Sequence, residues 1–180
     1  MEARQLGEIL LVRPLEQKDA PEIHKIIQEN RSHLSPWLGW VSKNNTLEDA
    51  QDFVSFAQKK TENGSPTLGI FVEEMFKGIA SYHPIDFKNR TGSLGYWIDK
   101  HCTGMGYTTT SIRHLMRIGF QEYNLARLEI KCATKNVASQ KVAEKLGFTC
   151  EGILRQAERI NESVHDLKLY SLLRSEWEYS

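Results

Sequence analysis

The spacing of apolar residues predicts four helices. The first covers QKDAPEIHKIIQENR, and the second follows Thr46, where Asp49 stands three positions later as in a capping box. The third begins after Gly106, and the fourth covers NVASQKVAEKLGF, with Gly147 as the residue that ends it. Between the first two helices, Pro36 and Gly39 interrupt LSPWLGW, which predicts a loop.

Short runs of β-branched and aromatic residues predict about six to seven strands. They are Glu8–Arg13, Thr67–Val72, Phe76–Tyr82, Ser93–Ile98, LARLEIKCAT, FTCEGILRQAERI and SVHDLKLYSLLRSEW. Short links between the second, third and fourth runs favour antiparallel neighbours. The order of elements predicts an α/β (mixed α+β) fold, in which a mixed, mostly antiparallel sheet has helices on both faces.

Composition narrows the class of protein. The 180 residues suit a single domain spanning 1–180, and 23 basic residues balance 23 acidic ones. A broad nucleic-acid-binding surface is therefore not expected. The chain has no apolar run near the roughly 18 residues that span a membrane. Its three cysteines lack a C-x-x-C spacing, so we expect no zinc site or disulfide framework and a reducing, cytoplasmic setting. The six histidines show no spacing typical of a metal site.

Two glycines stand one residue apart where a predicted strand gives way to a helix. Gly104 and Gly106 could let the free N–H groups of the helix start approach a phosphate, or could simply form a tight turn. A P-loop would need Lys and Ser/Thr after the last glycine, where the chain has Tyr107 and Thr108. A dinucleotide fingerprint would need a third glycine at Thr109. Both of these nucleotide motifs are excluded.

Together with NVASQKVAEKLGF, the turn HCTGMG resembles the GNAT acetyltransferases, which join a Q/R-x-x-G-x-G/A turn to a later N-x-x-(S/A) helix ending in G-F. The resemblance covers nearly the whole chain. Three further stretches make it most similar to the Rim type, the ribosomal-protein N-acetyltransferases: ENRSHLSPWLGWV, FTCEGILRQAERIN and HDLKLYSLLRSEW. His101 departs from the family pattern, which has Gln or Arg there.

The resemblance implies acetyl-CoA as co-substrate and no metal. It places the diphosphate of coenzyme A on the turn and the pantetheine along the strand ending at Tyr96–Asp99, where a β-bulge would splay the sheet into a cleft. A backbone N–H near Trp97 or Ile98 would polarise the thioester carbonyl. The implied cofactor-binding residues are Trp97, Ile98, Thr103, Gly104, Met105, Gly106, Tyr107, Thr108, Asn136 and Ser139.

For catalysis, the resemblance makes Glu158 the candidate general base, directly or through water. Many family members protonate the thiolate with a Tyr at the position of Ala143, so Ser139 is the nearest replacement here. Trp37 and Trp40 either wall the acceptor site or pack on the core.

The expected activity is transfer of acetyl to an amine by direct attack in a ternary complex. The first acceptor to consider is the N-terminal α-amine of a ribosomal protein. A small amine, such as a polyamine, aminoglycoside or amino acid, is the alternative, and a non-catalytic acetyl-CoA-binding module is the third. The resemblance is also compatible with a homodimer.

Overall fold

The structure is a computed structural model that describes residues 4–5 and 9–177. It confirms the predicted mixed α/β fold with a mostly antiparallel sheet. The helices are α1 Ala20–Glu29, α2 Arg31–Leu34, α3 Leu47–Glu62, α4 Tyr107–Arg117 and α5 Val137–Lys145. The strands are β1 Arg4–Gln5, β2 Leu10–Pro14, β3 Thr67–Val72, β4 Met75–Tyr82, β5 Thr91–Ile98, β6 Arg127–Ala133, β7 Thr149–Ile160 and β8 Ser163–Leu173. Glu8, part of the first predicted strand, lies outside the described residues.

The residues expected to begin α3 and to end α5 do so in the structure. The Thr46 hydroxyl caps α3 by accepting a hydrogen bond from Asp49 N–H, and the Asp49 carboxylate accepts one from Thr46 N–H, as the sequence predicts. Gly147 follows α5 at φ +83°, which suits the left-handed end of a helix. The predicted loop contains more structure than expected, since α2 ends at Leu34 and a 3₁₀ turn covers Gly39–Lys43.

The described strands form one sheet in the order β1-β2-β3-β4-β5-β6-β8-β7. Only β5 and β6 run parallel within it, and every other neighbouring pair is antiparallel. The two-residue β1 is the strand that the sequence pattern does not predict, because two residues are too few to show an alternation.

Each face of the sheet carries its own apolar core. On one face, residues of α4 and α5 such as Leu115 and Ala143 pack against Leu94 and Ile130 of the sheet. On the other, residues of α1 and α3 such as Ile23 and Val54 pack against Trp97. We call the first the α4 face and the second the α3 face.

The sheet opens between its two parallel strands. Thr91–Leu94 pairs with residues 127–130, and the pairing stops there. Beyond that point β5 continues along β4 to Ile98, while β6 continues along β8 to Ala133. The register between β4 and β5 is unbroken from Leu94 to Ile98, so the expected β-bulge is not at this point. The gap opens because β5 stays paired with β4 while β6 stays paired with β8.

Candidate functional site

The glycine turn leaves a group of backbone donors free at the start of α4. Gly104 and Gly106 have φ of +81° and +87°, a left-handed conformation that other residues adopt at a cost. The first helical bond joins Thr110 N–H to the Gly106 carbonyl. Within the described chain, the N–H groups of Gly104, Gly106 and residues 107–109 therefore have no backbone acceptor. Those of Thr103 and Met105 bond to earlier carbonyls at 3.3 and 3.4 Å.

Space and charge at this turn suit an anion. A Cβ added at either glycine would meet no heavy atom within 4 Å, so a ligand can approach the backbone closely. The start of α4 also carries the positive end of the helix dipole, about half a charge. Gly106 itself occupies the capping position and has no side chain to satisfy the free donors. The residues present therefore fit a diphosphate.

The register of β5 decides which of its N–H groups face the gap. His83 N–H bonds to the Ser93 carbonyl, and Asp99 N–H to the Lys77 carbonyl. In an antiparallel pair, the positions that bond to the neighbouring strand occur at every second residue. Since Ser93 and Asp99 are bonded positions of β5, Trp97 is one as well, and its N–H points to β4. Ile98 lies between two such positions, so its N–H points into the gap. Of the two donors expected from the sequence, the structure favours Ile98.

The start of α5 borders the gap on the α4 face. Asn136 caps this helix, its side chain accepting a hydrogen bond from Ser139 N–H at 3.1 Å. The Ser139 hydroxyl lies 2.9 Å from the Tyr96 hydroxyl, which also donates to the Ser139 carbonyl at 3.0 Å. Burial is the main reason that the pKa of Tyr96 is raised, so this phenol stays protonated. Ala143, where many family members have a Tyr, is fully buried.

A cavity of about 150 Å³ lies on the α3 face beside β5. The loop before α3 and α3 itself provide an apolar wall, which includes Trp40, Phe53 and Phe56. Trp40 stacks on Phe53 with ring centroids 6.0 Å apart. Trp37, the other tryptophan expected at the acceptor site, does not line this cavity.

The opposite wall of the cavity is polar and comes from β3 to β5. Thr67, Ser81 and His83 line it, together with Lys60 from α3. The Thr67 hydroxyl is buried and has no hydrogen-bond partner in the described residues. Lys60 donates a hydrogen bond to the Tyr82 carbonyl at 2.7 Å, and burial lowers its pKa.

His83 lies against the backbone of β5. A Cβ placed on Gly95 would come within 2.9 Å of its Nε2 atom, so the absence of a side chain there makes room for the imidazole. His83 is exposed to solvent, yet the protein atoms around the ring desolvate it in part. This desolvation, followed by the charges of Lys60 and Lys131, lowers the pKa of His83. At neutral pH the imidazole is thus uncharged.

Glu158 lies away from both walls. It is exposed near the end of β7, opposite His165 of β8, and is not among the residues that line the cavity. The end of β7 nevertheless approaches the loop that bears Trp40, since a Cβ at Gly39 would lie 3.8 Å from Ile160 Cα. The hairpin that carries Glu158 therefore approaches the loop before α3.

The sequence did not identify His83 or Lys60 as part of the site, and it named Tyr96 only within the strand end expected to hold the pantetheine. The alternation along β4 could have placed His83 on the same face as Ile79 and Ser81, but nothing local indicates what covers that face. Lys60 and Tyr96 depend on contacts with distant elements.

Residues 4–5 and 9–177 hold no group of three His, Cys, Asp or Glu side chains arranged to bind a metal ion. Over the same residues, no helix has the length and apolar character needed to cross a bilayer.

Comparison with known proteins agrees with this geometry. The model of the "Acetyltransferase (GNAT) domain" family matches residues 10–149. The "Putative ribosomal N-acetyltransferase YdaF" of Bacillus subtilis (strain 168) is 31% identical over 96% of each chain. The ribosomal-protein-serine acetyltransferase of Escherichia coli (strain K12) is also 31% identical, over 83% of this chain and 90% of its own.

Solved structures give the same result. RimL, a ribosomal L7/L12 α-N-protein acetyltransferase in complex with coenzyme A, superposes with a TM-score of 0.92 at 27% identity, covering 97% of this chain and 99% of its own. The microcin C7 self-immunity acetyltransferase MccE, in complex with acetyl-CoA and AMP, gives 0.88 at 26% identity, with 93% and 94% covered.

Proposed function

Because this chain belongs to the GNAT acetyltransferase family, we propose that it transfers the acetyl group of acetyl-CoA to the N-terminal α-amine of a ribosomal protein. The observation on which this rests is the row of free N–H groups at the start of α4, next to a gap between two parallel strands. Relatives and structural neighbours that act on ribosomal proteins support the acceptor.

In this proposal the turn holds the diphosphate through the N–H groups of Gly104, Gly106, Tyr107 and Thr108. Thr103 and Met105 belong to the same turn, but their N–H groups are already bonded. They would contribute the hydroxyl of Thr103 and the exposed side chain of Met105.

The thioester would lie in the gap, where Ile98 N–H donates to its carbonyl oxygen as negative charge develops. Losing one such donor typically costs about 3 kcal/mol in the transition state. Trp97 contributes its side chain on the α3 face, where it packs against Phe76. The two neighbouring residues thus act on opposite sides, Ile98 on the thioester and Trp97 on the acceptor wall.

The amine would reach the thioester from the cavity on the α3 face. Its nitrogen forms a bond to the carbonyl carbon while the carbon–sulfur bond breaks, and the thiolate takes up a proton. Ser139, held by Asn136 and Tyr96, is the proposed hydrogen-bond partner of the sulfur, and Glu158 is the proposed base on the acceptor side. No acyl-enzyme is needed.

The charge of the cavity favours an α-amine over a polyamine. A polyamine would need acidic groups for its further ammonium groups, yet among residues 4–5 and 9–177 the cavity is lined by Lys60 and His83 and by no carboxylate. An N-terminal residue brings one amine and a short side chain, which suits about 150 Å³ between an aromatic and a polar wall.

The remaining expectations stay part of the proposal. We expect residues 1–180 to act as one domain, since β7 and β8 complete the sheet beyond the family match. We expect cytoplasmic action without direct nucleic-acid contact, consistent with the balanced charge. A homodimer would use the exposed β7–β8 hairpin, where Ile153 and Val164 are 56% and 46% exposed, and light scattering would test it.

The test of this function is an acceptor panel. The purified chain and acetyl-CoA are incubated with serine-terminated and alanine-terminated peptides, with the same peptides blocked at the N-terminus, with spermidine, and with deacetylated ribosomal proteins. Mass spectrometry should find one acetyl group on the free α-amines and none on the blocked peptides. Acetylation of spermidine or lysine side chains alone would contradict the proposal.

A further inference from the structure

We propose that His83 is a catalytic residue, accepting the proton that the acceptor ammonium must lose before it can attack the thioester. The proposal rests on the function proposed above. His83, on the α3 face, takes the first proton of the ammonium, whereas Glu158, on the β7–β8 hairpin, keeps its separate role as the base proposed above.

The geometry places the imidazole on the path of the amine. His83 lines the cavity and lies against Gly95, the first residue of β5 beyond the pairing with β6. The gap meant for the thioester therefore begins beside it. In the described residues no side chain or carbonyl forms a hydrogen bond with the ring, so its lone pair is available to a ligand. The unpartnered, buried Thr67 hydroxyl on the same wall is a second polar group for that ligand.

The surrounding charges keep His83 a base at neutral pH. Lys60 faces it from α3, and Lys131 faces it from β6, with the Lys131 ammonium 3.2 Å from Glu129. The ionisable side chain of β5 nearest to this point is Tyr96, which packs on the α4 face with its hydroxyl bound to Ser139 and so does not face the imidazole. Two cations and desolvation disfavour the imidazolium, so the neutral ring is present when the ammonium arrives.

The acceptor nitrogen loses two protons on its way from ammonium to amide, so the reaction can use two bases. An α-ammonium, with a pKa of about 8, must lose one proton to expose its lone pair. The nitrogen loses a second proton after the C–N bond has formed, and the departing thiolate takes up one proton, so one is released overall. His83 lines the cavity through which the ammonium would arrive, so it is assigned the first proton. Glu158 is assigned the second.

The test combines rates with a direct titration. With a serine-terminated peptide, His83→Gln should lower kcat/KM by about a hundredfold or more, the range typical of a lost general base. His24→Gln, on α1 and off the cavity lining, is the matched control and should keep the wild-type rate. Calorimetry should find the same coenzyme A affinity in both variants.

A charge variant separates catalysis from a structural role. Lys60→Gln removes a cation that lowers the pKa of His83, so that pKa should rise. NMR titration of the imidazole without substrate should show this rise, and the acidic limb of kcat/KM should move to higher pH by the same amount. Lys59→Gln, one residue away on the exposed side of α3, should move neither.

The outcomes distinguish the two proposals. Wild-type activity of His83→Gln, or an acidic limb that does not follow the NMR pKa in Lys60→Gln, would overturn the role of His83 alone. A wild-type chain that acetylates no α-amine would overturn the proposed function and this role with it.

Discussion

Replacing Gly104 by Ala should separate the cost of backbone strain from the loss of cofactor binding. Gly104 has φ of +81°, where an L-residue pays about 1–2 kcal/mol. The added methyl group meets no heavy atom within 4 Å, so the protein itself need not move to accommodate it. A domain stable by about 5–15 kcal/mol should therefore remain folded.

Cofactor binding should fall by more than this strain explains. The methyl group would occupy the open space from which a diphosphate must approach the free N–H groups. Hydrogen bonds to a charged group are worth about 1.5–3 kcal/mol each. Losing one of them should therefore raise the Kd of coenzyme A about ten- to hundredfold.

Gly147, just after the C-terminal end of α5, offers a matched control. It has φ of +83°, and an added Cβ there would also meet nothing within 4 Å. Urea unfolding should show similar losses of stability for Gly104→Ala and Gly147→Ala, while calorimetry should show weakened coenzyme A binding only for the first. Equal Kd values for wild type and Gly104→Ala would refute the assignment of the turn.

Three further predictions concern catalysis and stability. Glu158→Gln should lower kcat about a hundredfold at unchanged coenzyme A affinity, and an unaltered pH–rate profile would contradict its role as a base. Ser139→Ala should slow transfer a few-fold in stopped-flow measurements; wild-type rates would leave the hydroxyl only its bond to Tyr96. Asp19→Asn should cost about 3 kcal/mol in urea unfolding at pH 7, because it breaks a buried pair with Arg13 at 2.7 and 2.8 Å. Burial alone would raise the pKa of Asp19, but Arg13 holds it below its ordinary value, so this stability is present above pH 4 and lost as pH falls through the folded pKa. A difference between variant and wild type that does not shrink at pH 3 would contradict this assignment.

Features governed by a few adjacent residues were predictable from the sequence. The cap of α3 needs only Thr46 and Asp49, three positions apart, and the glycine turn needs only the run from 103 to 108. Their hydrogen bonds form within one turn of chain, so the pattern and the structure agree.

Features held by distant contacts were not predictable in this way. The loop between α2 and α3 is ordered by Arg31, whose guanidinium donates to the carbonyls of Val41 and Asn44 at 2.6 Å each. Neither bond has a signature in the sequence. The β-bulge expected in β5 is absent for a similar reason. The gap depends on the pairing of β6 with β8 rather than on any residue of β5.

This contrast between local and distant contacts explains why the family resemblance predicts the cofactor site in more detail than the acceptor site. The donors proposed for the diphosphate come from one short turn, whereas the cavity proposed for the acceptor takes its walls from the 39–43 turn, α3, β3, β4 and β5. A substitution at Lys60 would change the charge of this cavity, and one at His83 its hydrogen bonding, without touching the turn at Gly104. If the amine binds in this cavity, the choice of acceptor depends on the side chains of the α3 face, because the fold by itself does not fix it.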